Sequence, residues 1–389
     1  MDASAKYLAR YAERHVAEEL PTGTFSSALV IPAFNESAST ILAMHDQAVA
    51  AGALLLVVVN YPEYAGPTEI TNTRILLEEL NSVTSKCLFI LDCTENPLPQ
   101  EQGVGLARKI GTDVAFKLYN AGQLRSPWLY MSDADVSLPD NYFSHVLDGT
   151  GAFVFAHRHH ADDHTLQQAS NLYDQHMAYY IAGLTFAGSR YAFPTIGSTI
   201  VVHAETYAQV RGFPRKNAGE DFYLLNKVVK IAPVRYSADV VLTISARRSQ
   251  RVPFGTGPAL EKIAGLLVNK PDAPSYSSYN FGAFELLREA IASLAQFATT
   301  GEFSATEPIT DILKTLGWRQ KEALFRSQYQ ARQRGEAILD WFDGLKTLKF
   351  MHSARSIYPD RPLLDTLPEL PQSVRATIAA HYLGDPDHN

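Results

Sequence analysis

The sequence has few cysteines, no excess of basic residues and no long apolar segment. Its two cysteines, Cys87 and Cys93, stand at the ends of a predicted strand, and six extended residues span about 20 Å, too far for a disulfide. The 389 residues carry a formal net charge of −7, which argues against a nucleic-acid binder that neutralises phosphates. No apolar run approaches the roughly 20 residues that span a bilayer. We therefore expect reduced thiols, no nucleic-acid partner and no transmembrane segment.

The first twenty residues carry acidic side chains throughout and lack the apolar core of a signal peptide. Together with two reduced cysteines, this predicts a cytoplasmic protein. Hydrophobic residues make up 46% of the chain and charged residues 19%, enough apolar side chains for a large core. The length is typical of two or three folded units, or of one large domain with an appendage.

Apolar runs alternate with segments of helical periodicity in the first third of the chain. Strands are predicted at 27–32, 53–60, 86–92 and 128–132, and helices at 4–20, 38–51, 69–82 and 106–120. Buried parallel strands are uninterrupted apolar runs, as these are. The alternation therefore predicts an α/β fold, with a mostly parallel sheet covered by helices on both faces.

The remainder of the chain is first mixed and then helical. Strands are predicted at 151–160, 197–203 and 234–247, with a helix at 165–182 and a polar turn that opens a helix within 219–231. Five further helices are predicted at 258–269, 281–298, 308–315, 318–346 and 371–383. The pattern predicts three regions: an N-terminal helix in 1–26, an α/β domain in 27–257 and a helical region in 258–389. We expect Trp318, Phe325 and Trp341 of this last region to lie in its core.

Two carboxylates, Asp133 and Asp135, follow directly after the apolar run 128–131. Ligands of open α/β sheets bind at the carboxyl ends of the strands, where these acids would lie. Mg²⁺ and Mn²⁺ favour a few carboxylate oxygens and complete their coordination with substrate phosphate oxygens. A plain surface turn is the alternative, because aspartate is common at strand ends.

Three other segments have the composition of the same kind of site. "VIPAFNE" at 30–36 ends another predicted strand. "GVGLARKIG" at 103–111 is predicted to offer exposed backbone N–H groups, together with Arg108 and Lys109, to a diphosphate. "GEDF" at 219–222 places two acids at the start of a predicted helix.

In their order along the chain, which is "VIPAFNE", "GVGLARKIG", "SDAD" at 132–135 and "GEDF", the four segments resemble the motifs of GT-A glycosyltransferases, most closely the inverting family-2 type, over about residues 27–257. The resemblance implies a Rossmann-like mixed sheet flanked by helices, here followed by a helical C-terminal extension. It also implies a nucleotide-diphosphate sugar donor and Mg²⁺ or Mn²⁺. Asp135 would bind the metal directly, with Asp133 beside it on the metal or the ribose. Asp221, next to Glu220, would be the general base.

The resemblance places four residues of the first motif at the nucleotide, namely Pro32, Ala33, Asn35 and Glu36, and Arg108 near the base or diphosphate. Gly103 begins the Gly-rich segment of this donor site. Family-2 members usually have an Asp-rich turn after the second strand, where this sequence has Asn60, so the identity of the base stays open. Arg247 and Arg251, in a basic Gly-bearing stretch, are predicted to add positive charge to the leaving diphosphate. A solvated basic loop is the alternative for that stretch.

The sequence contains fewer motifs that point to residues of the acceptor pocket. "HRHHADDH" at 157–164 predicts a strand end at the acceptor pocket, with His157 or His159 touching substrate, although a solvated turn fits equally well. A zinc site would need His160 and His164 on one helix. Gly197 and Ser198, before another predicted strand, are candidates for shaping the same pocket. "GVGLAR" lacks the third glycine of a dinucleotide fingerprint, because Arg108 occupies that position.

The sequence thus predicts a glycosyltransferase that moves a sugar from a nucleotide-diphosphate donor to a hydroxyl acceptor with inversion. The acceptor, whether a sugar, a glycerate-like molecule or a lipid-linked one, is left open, as is a homodimer. The alternatives are a sugar-phosphate nucleotidyltransferase of related fold and a non-catalytic sugar-nucleotide-binding protein. A nucleotidyltransferase usually has a basic Gly-rich loop after its first strand, where this sequence has "PAFNESAST".

Overall fold

The computed structural model describes residues 3–13, 20–247, 255–269 and 276–382. The chain divides into two compact units. The first comprises Met1–Asp162 and Thr195–Ala259, and the second comprises Asp163–Pro194 and Leu260–Asn389. Residues 163–194, which the sequence interpretation placed inside the α/β domain, therefore group with the C-terminal helices.

An eight-stranded mixed sheet is the centre of the first unit. Its strands are β1 (Ala28–Ala33), β2 (Leu54–Val59), β3 (Leu88–Asp92), β4 (Trp128–Met131), β5 (Val136–Ser137), β6 (Ala152–His160), β7 (Ile200–His203) and β8 (Val234–Ser245). They lie in the order β3-β2-β1-β4-β7-β6-β8-β5. The pairs from β3 to β4 are parallel, whereas β7 runs antiparallel to both of its neighbours. The predicted α/β fold class with a mixed sheet is confirmed.

Helices cover the parallel part of this sheet on both faces, because its strands are apolar on both sides. The helices of the first unit that the structure describes are α1 (Ala3–Arg10), α2 (Ala38–Ala51), α3 (Pro67–Asn81), α4 (Gly103–Asn120), α6 (Ala204–Gln209) and α7 (Glu220–Val228). Side chains of α2 and α3 share a core with Leu29 and Val57, on one face of the sheet. On the other face α4 approaches closely at Gly111, where a Cβ would lie 2.4 Å from a methyl carbon of Val30.

The second unit is helical. Its helices are α5 (His164–Phe186), α8 (Thr256–Asn269), α9 (Phe281–Thr300), α10 (Glu307–Thr315), α11 (Trp318–Gln328), α12 (Ala331–Trp341), α13 (Gly344–Ala354), α14 (Leu363–Thr366) and α15 (Gln372–His381), of which α8 begins in the first unit. A two-stranded pair, β9 (Ser277–Ser278) with β10 (Arg361–Pro362), joins them. None of the helices in the described part of the chain is long and apolar enough to cross a lipid bilayer.

The single helix predicted at 318–346 is wrong, because the chain forms three helices there. Asp343 caps α13 by accepting a hydrogen bond from the backbone N–H of Lys346 at 3.1 Å, which starts a new helix. Trp318, Phe325 and Trp341 are buried in one aromatic core, as predicted. The rings of Trp318 and Trp341 lie with their centroids 5.1 Å apart.

Candidate active site

The two aspartates of "SDAD" lie at the carboxyl end of β4, as predicted. The backbone N–H of Ser132 still donates to the carbonyl of Val30 in β1 at 3.0 Å, so the chain stays in the sheet up to Asp133. Two residues further on, the Asp135 carbonyl accepts from the backbone N–H of Ser245 at 2.9 Å. Backbone hydrogen bonds to two strands of the sheet, β1 and β8, therefore hold this short turn at the edge where the parallel strands end.

Arg108 of α4 connects the aspartate turn to the acidic start of α7. Its Nη2 donates to Asp133 Oδ1 at 2.7 Å, its Nε donates to Glu220 Oε1 at 3.1 Å, and its Nη1 donates to the Gly197 carbonyl at 3.1 Å. Burial alone would lower the pKa of Arg108, but Asp133 and Glu220 outweigh it and raise that pKa. Arg108 is only 2% exposed, so the geometry favours a positioning role. Its contact with a donor stays a prediction.

The glycines at the start of α4 serve a purpose that the sequence interpretation missed. The Gly105 N–H donates to the Lys216 carbonyl at 3.0 Å, and a Cβ on Gly105 would lie 2.3 Å from that oxygen. A Cβ on Gly103 would similarly overlap Asn217 Oδ1. The N–H groups of this helix start were expected to be exposed for a diphosphate. That expectation is wrong for Gly105, because the segment 214–217 covers it.

The same segment positions the second acidic pair. It leads through Gly219, whose φ of 70° is in the left-handed region, into Glu220 and Asp221 at the first turn of α7. Burial raises the pKa of Glu220, although Arg108 opposes this effect. Burial, followed by the neighbouring Glu220, also raises the pKa of Asp221 to about 7. A carboxyl group with a pKa near neutrality can exchange a proton with a substrate hydroxyl.

Arg247 contacts two of the predicted donor and metal residues. Its Nη1 and Nη2 donate to the two carboxylate oxygens of Glu36, at 2.7 and 2.5 Å, and Nη2 also lies 2.9 Å from Asp135 Oδ2. Burial raises the pKa of Asp135 to about 6, against the effect of Arg247. The predicted residue Arg251 lies outside the described residues.

The end of β1 holds the other predicted nucleotide residues. Pro32 and Ala33 are its last two residues, and Asn35 follows with a φ of 53°. The carboxamide of Asn35 accepts a hydrogen bond from Asn72 at 2.9 Å. The Asn60 side chain is buried and donates to the carbonyl of Val58 at 2.9 Å, so its amide stabilises the ends of β1 and β2. A role of Asn60 in reading the base stays a prediction.

Lys109, predicted beside Arg108 to hold a diphosphate, points to a different cluster. Its Nζ donates to the Tyr7 hydroxyl at 2.7 Å and lies 3.1 Å from Asp113 Oδ2. Asp113 Oδ1 also accepts from the hydroxyls of Tyr7 and Tyr207, at 2.5 and 2.8 Å. The diphosphate role of Lys109 is therefore wrong, because this buried network satisfies its ammonium group and holds α1 against α4.

The predicted acceptor residues lie on two elements of the first unit. His157 is partly buried on β6, with its ring centroid 5.5 Å from that of His159. Gly197 and Ser198 form a buried 3-10 turn before β7, and a Cβ on Gly197 would lie 2.7 Å from Arg108 Nη2. His160 ends β6 and His164 begins α5, so the helical spacing that a zinc site would need is absent for this pair. The acceptor roles stay predictions.

No protein-family model matches the sequence, and no curated protein sequence matches it. Among solved structures, the chain is similar to the mannosyltransferase PcManGT from Pyrobaculum calidifontis in complex with GDP-Man and Mn²⁺. The match covers 89% of this chain and 94% of that chain, at 15% sequence identity and a TM-score of 0.37. Similarity at this level transfers neither reaction nor ligand, so the functional proposal depends on the site alone.

Proposed function

We propose that this chain is a glycosyltransferase that moves a sugar from a nucleotide-diphosphate donor to a hydroxyl group with inversion. The observation that carries the proposal is the convergence of two acidic turns on Arg108. Asp133 of the first turn and Glu220 of the second bind the same guanidinium group. Asp135 follows Asp133 by two residues, and Asp221 follows Glu220 directly. A sugar transferase fits this arrangement because the turn with Asp133 can serve the donor phosphates and the turn with Glu220 can serve the acceptor hydroxyl.

The charges of this cluster support a divalent cation as the cofactor, Mg²⁺ or Mn²⁺. Among the residues that the structure describes, the cluster has the five carboxyl groups of Glu36, Asp133, Asp135, Glu220 and Asp221, and the guanidinium groups in contact with them are those of Arg108 and Arg247. Carboxylate oxygens are the ligands that these cations prefer, and an excess of negative charge attracts them. The Asp135 carboxylate already contacts a cationic group, so the residues present fit a cation.

Asp135 and Asp133 would hold the cation, which would neutralise the charge that develops on the leaving diphosphate. Arg108 keeps Asp133 in place with its 2.7 Å hydrogen bond, so that this carboxylate is oriented before the donor binds. Asp133 is suited to contact a ligand because its side chain is 37% exposed. Glu36, three residues after β1, shares the Arg247 guanidinium with Asp135 and would border the nucleotide.

Asp221 would act as the general base. As the acceptor oxygen attacks the anomeric carbon, its proton passes to the Asp221 carboxylate, and the bond to the diphosphate oxygen breaks on the opposite face of the sugar. The configuration at the anomeric carbon therefore inverts. The 2.6 Å hydrogen bond from the Phe222 N–H to Asp221 Oδ1 orients the carboxylate.

A thermal-shift screen with uridine, guanosine and adenosine diphosphate sugars tests the proposal, each with and without Mn²⁺. A ligand that binds the native state alone raises the unfolding temperature, so we expect one base to stabilise the protein only when Mn²⁺ is present. The variant Asp135→Ala should lose this Mn²⁺-dependent shift. Unchanged donor and Mn²⁺ affinity of that variant in calorimetry would contradict the metal site.

Product analysis separates the proposal from its two alternatives. A glycosyltransferase should release a nucleoside diphosphate from the stabilising donor, slowly to water and faster with an acceptor. Release of pyrophosphate from a nucleoside triphosphate and a sugar phosphate would identify a nucleotidyltransferase instead. Binding of the donor without any turnover across a panel of hydroxyl acceptors would identify a binding protein.

A further inference from the structure

We propose that Arg247 occupies the cation position of the site until the donor binds, so that the Arg247 guanidinium and a divalent cation compete for Asp135. This inference rests on the proposed function and adds the order in which its ligands can bind. Metal alone would bind weakly, and metal together with a diphosphate would bind strongly.

The contacts of Arg247 are those of a cation in a carboxylate site. Two nitrogens of its guanidinium bind both oxygens of Glu36, and one of them also contacts Asp135 at 2.9 Å. Two-pronged contacts of this kind are among the stronger ion pairs in proteins. The side chains of Glu36 and Asp135 are only 10% and 18% exposed, so both carboxylates face inward toward the guanidinium.

The backbone that leads to Arg247 is held in place by three residues before it. β5 pairs with β8 through Val136 and Ile244, and the Ser245 N–H donates to the Asp135 carbonyl at 2.9 Å. The Ala246 N–H donates to the His160 carbonyl at 2.7 Å. These bonds fix the distance between the Arg247 backbone and Asp135, so an exchange requires only that the arginine side chain rotate. That side chain is 38% exposed, which leaves it a path into solvent.

A divalent cation and Arg247 exclude each other electrostatically. Both would contact the same Asp135 carboxylate, and two positive groups that share one carboxylate oxygen lie within a few ångströms of each other, where they repel strongly. A bound diphosphate changes this balance, because it brings negative charge to both cations. The displaced guanidinium can then bind a phosphate oxygen, the kind of partner that arginine recognises well.

The Arg247 side chain would therefore couple the binding of the metal to the binding of the donor. Without donor, Arg247 binds Glu36 and Asp135 and keeps free metal out. With donor, metal binding and the release of Arg247 to the phosphates favour each other. Coupling free energies of this kind usually change affinity by about 5- to 150-fold.

Electron paramagnetic resonance of free Mn²⁺ tests the exchange without any turnover. Titrations use the full chain with Mn²⁺ alone and with Mn²⁺ plus the nucleoside diphosphate whose sugar stabilised it. We expect Arg247→Gln to bind Mn²⁺ alone roughly tenfold more tightly than the wild type, within the usual range of such couplings. The diphosphate should then strengthen Mn²⁺ binding far less in Arg247→Gln than in the wild type.

Two further variants serve as controls for the Mn²⁺ titrations. Arg235→Gln removes one positive charge from β8, the strand that precedes Arg247, away from the carboxylates, and should bind Mn²⁺ like the wild type. Arg247→Lys keeps the charge and should keep weak binding of Mn²⁺ alone. Equal Mn²⁺ affinity of Arg247→Gln and wild type, with measurable binding in both, would overturn the exchange and leave the proposed function intact. If neither protein binds Mn²⁺ even with the diphosphate, the metal of the proposed function fails, and the exchange fails with it.

Discussion

Arg108 and Glu220, which are 112 positions apart in the sequence, form a buried ion pair with Nε 3.1 Å from Oε1. The pair joins α4, which packs on the parallel part of the sheet, to the first turn of α7. Because Arg108 also binds Asp133 at the end of β4, one side chain sets the separation between the two acidic turns.

Replacing Arg108 should therefore destabilise the protein strongly. Arg108→Met leaves the buried Glu220 without its cationic partner, and breaking a buried pair in this way typically costs about 3–5 kcal/mol of unfolding free energy. Arg108→Lys retains the charge but cannot reach three acceptors at once, so its loss should be smaller. Denaturant unfolding measures both effects.

The control is Arg332→Met, which breaks an exposed pair with Glu336 on one helix and should change the unfolding free energy by about 0.5 kcal/mol or less. A loss for Arg108→Met as small as this would contradict the ion-pair assignment.

Asp221→Asn should separate binding from transfer. The asparagine keeps the size of the side chain but cannot accept the proton of the acceptor hydroxyl. We expect donor affinity, measured by calorimetry with Mn²⁺, to stay within about twofold, and the transfer rate to fall by about 10²-fold or more. Asp239→Asn, an exposed position on β8, removes the same charge and should keep full activity. Full activity of Asp221→Asn would place the base elsewhere.

The pH profile of the reaction should report the same carboxyl group. Burial, then Glu220, raises the pKa of Asp221 to about 7, and a general base is active only when ionised. We expect the rate of donor hydrolysis to be level above about pH 7 and to fall about tenfold per pH unit below it. A rate that stays level down to pH 5 would show that no group with a pKa near 7 acts as the base.

The stability of the protein should change with pH in the opposite direction. A carboxyl group whose pKa is raised from 3.8 to about 7 on folding stabilises the folded state fully below pH 3.8, and this contribution is lost as pH rises through about 7. Asp221→Asn has no charge to bury, so its unfolding temperature relative to the wild type should increase from pH 5 to pH 8. Asp239→Asn should show no such trend.

Gly105→Ala should disturb the site without removing any charged group. The added Cβ would lie 2.3 Å from the Lys216 carbonyl and 2.7 Å from the Pro214 carbonyl, so the segment that leads to Glu220 must move. We expect a lower unfolding temperature and weaker Mn²⁺-dependent donor binding in the thermal-shift assay. Gly265→Ala, in α8, would place its Cβ within 4 Å of no further atom of the described residues and should stabilise its helix by about 0.5–1 kcal/mol. Equal behaviour of the two variants would contradict the close approach at Gly105.

The sequence was a reliable guide wherever a feature depends on near neighbours. Apolar runs marked the buried strands, and α2 spans Ala38–Ala51 as predicted, capped by Ser37. The acids after β4 and at the start of α7 were placed at their elements because strand ends and helix starts are local properties. The long helix at 318–346 was wrong because its interruptions come from caps such as Asp343, which apolar periodicity does not reveal.

The sequence by itself determined which chemical groups stand at the ends of which strands and helices. Only the tertiary structure decided which of those groups meet. Arg108 and Lys109 are adjacent in the sequence, yet successive residues of a helix point in different directions, so one binds Asp133 and Glu220 and the other binds Tyr7 and Asp113. The pairing of Arg247 with Glu36 likewise joins residues 211 positions apart, and it follows from the strand order of the sheet, which no local pattern encodes.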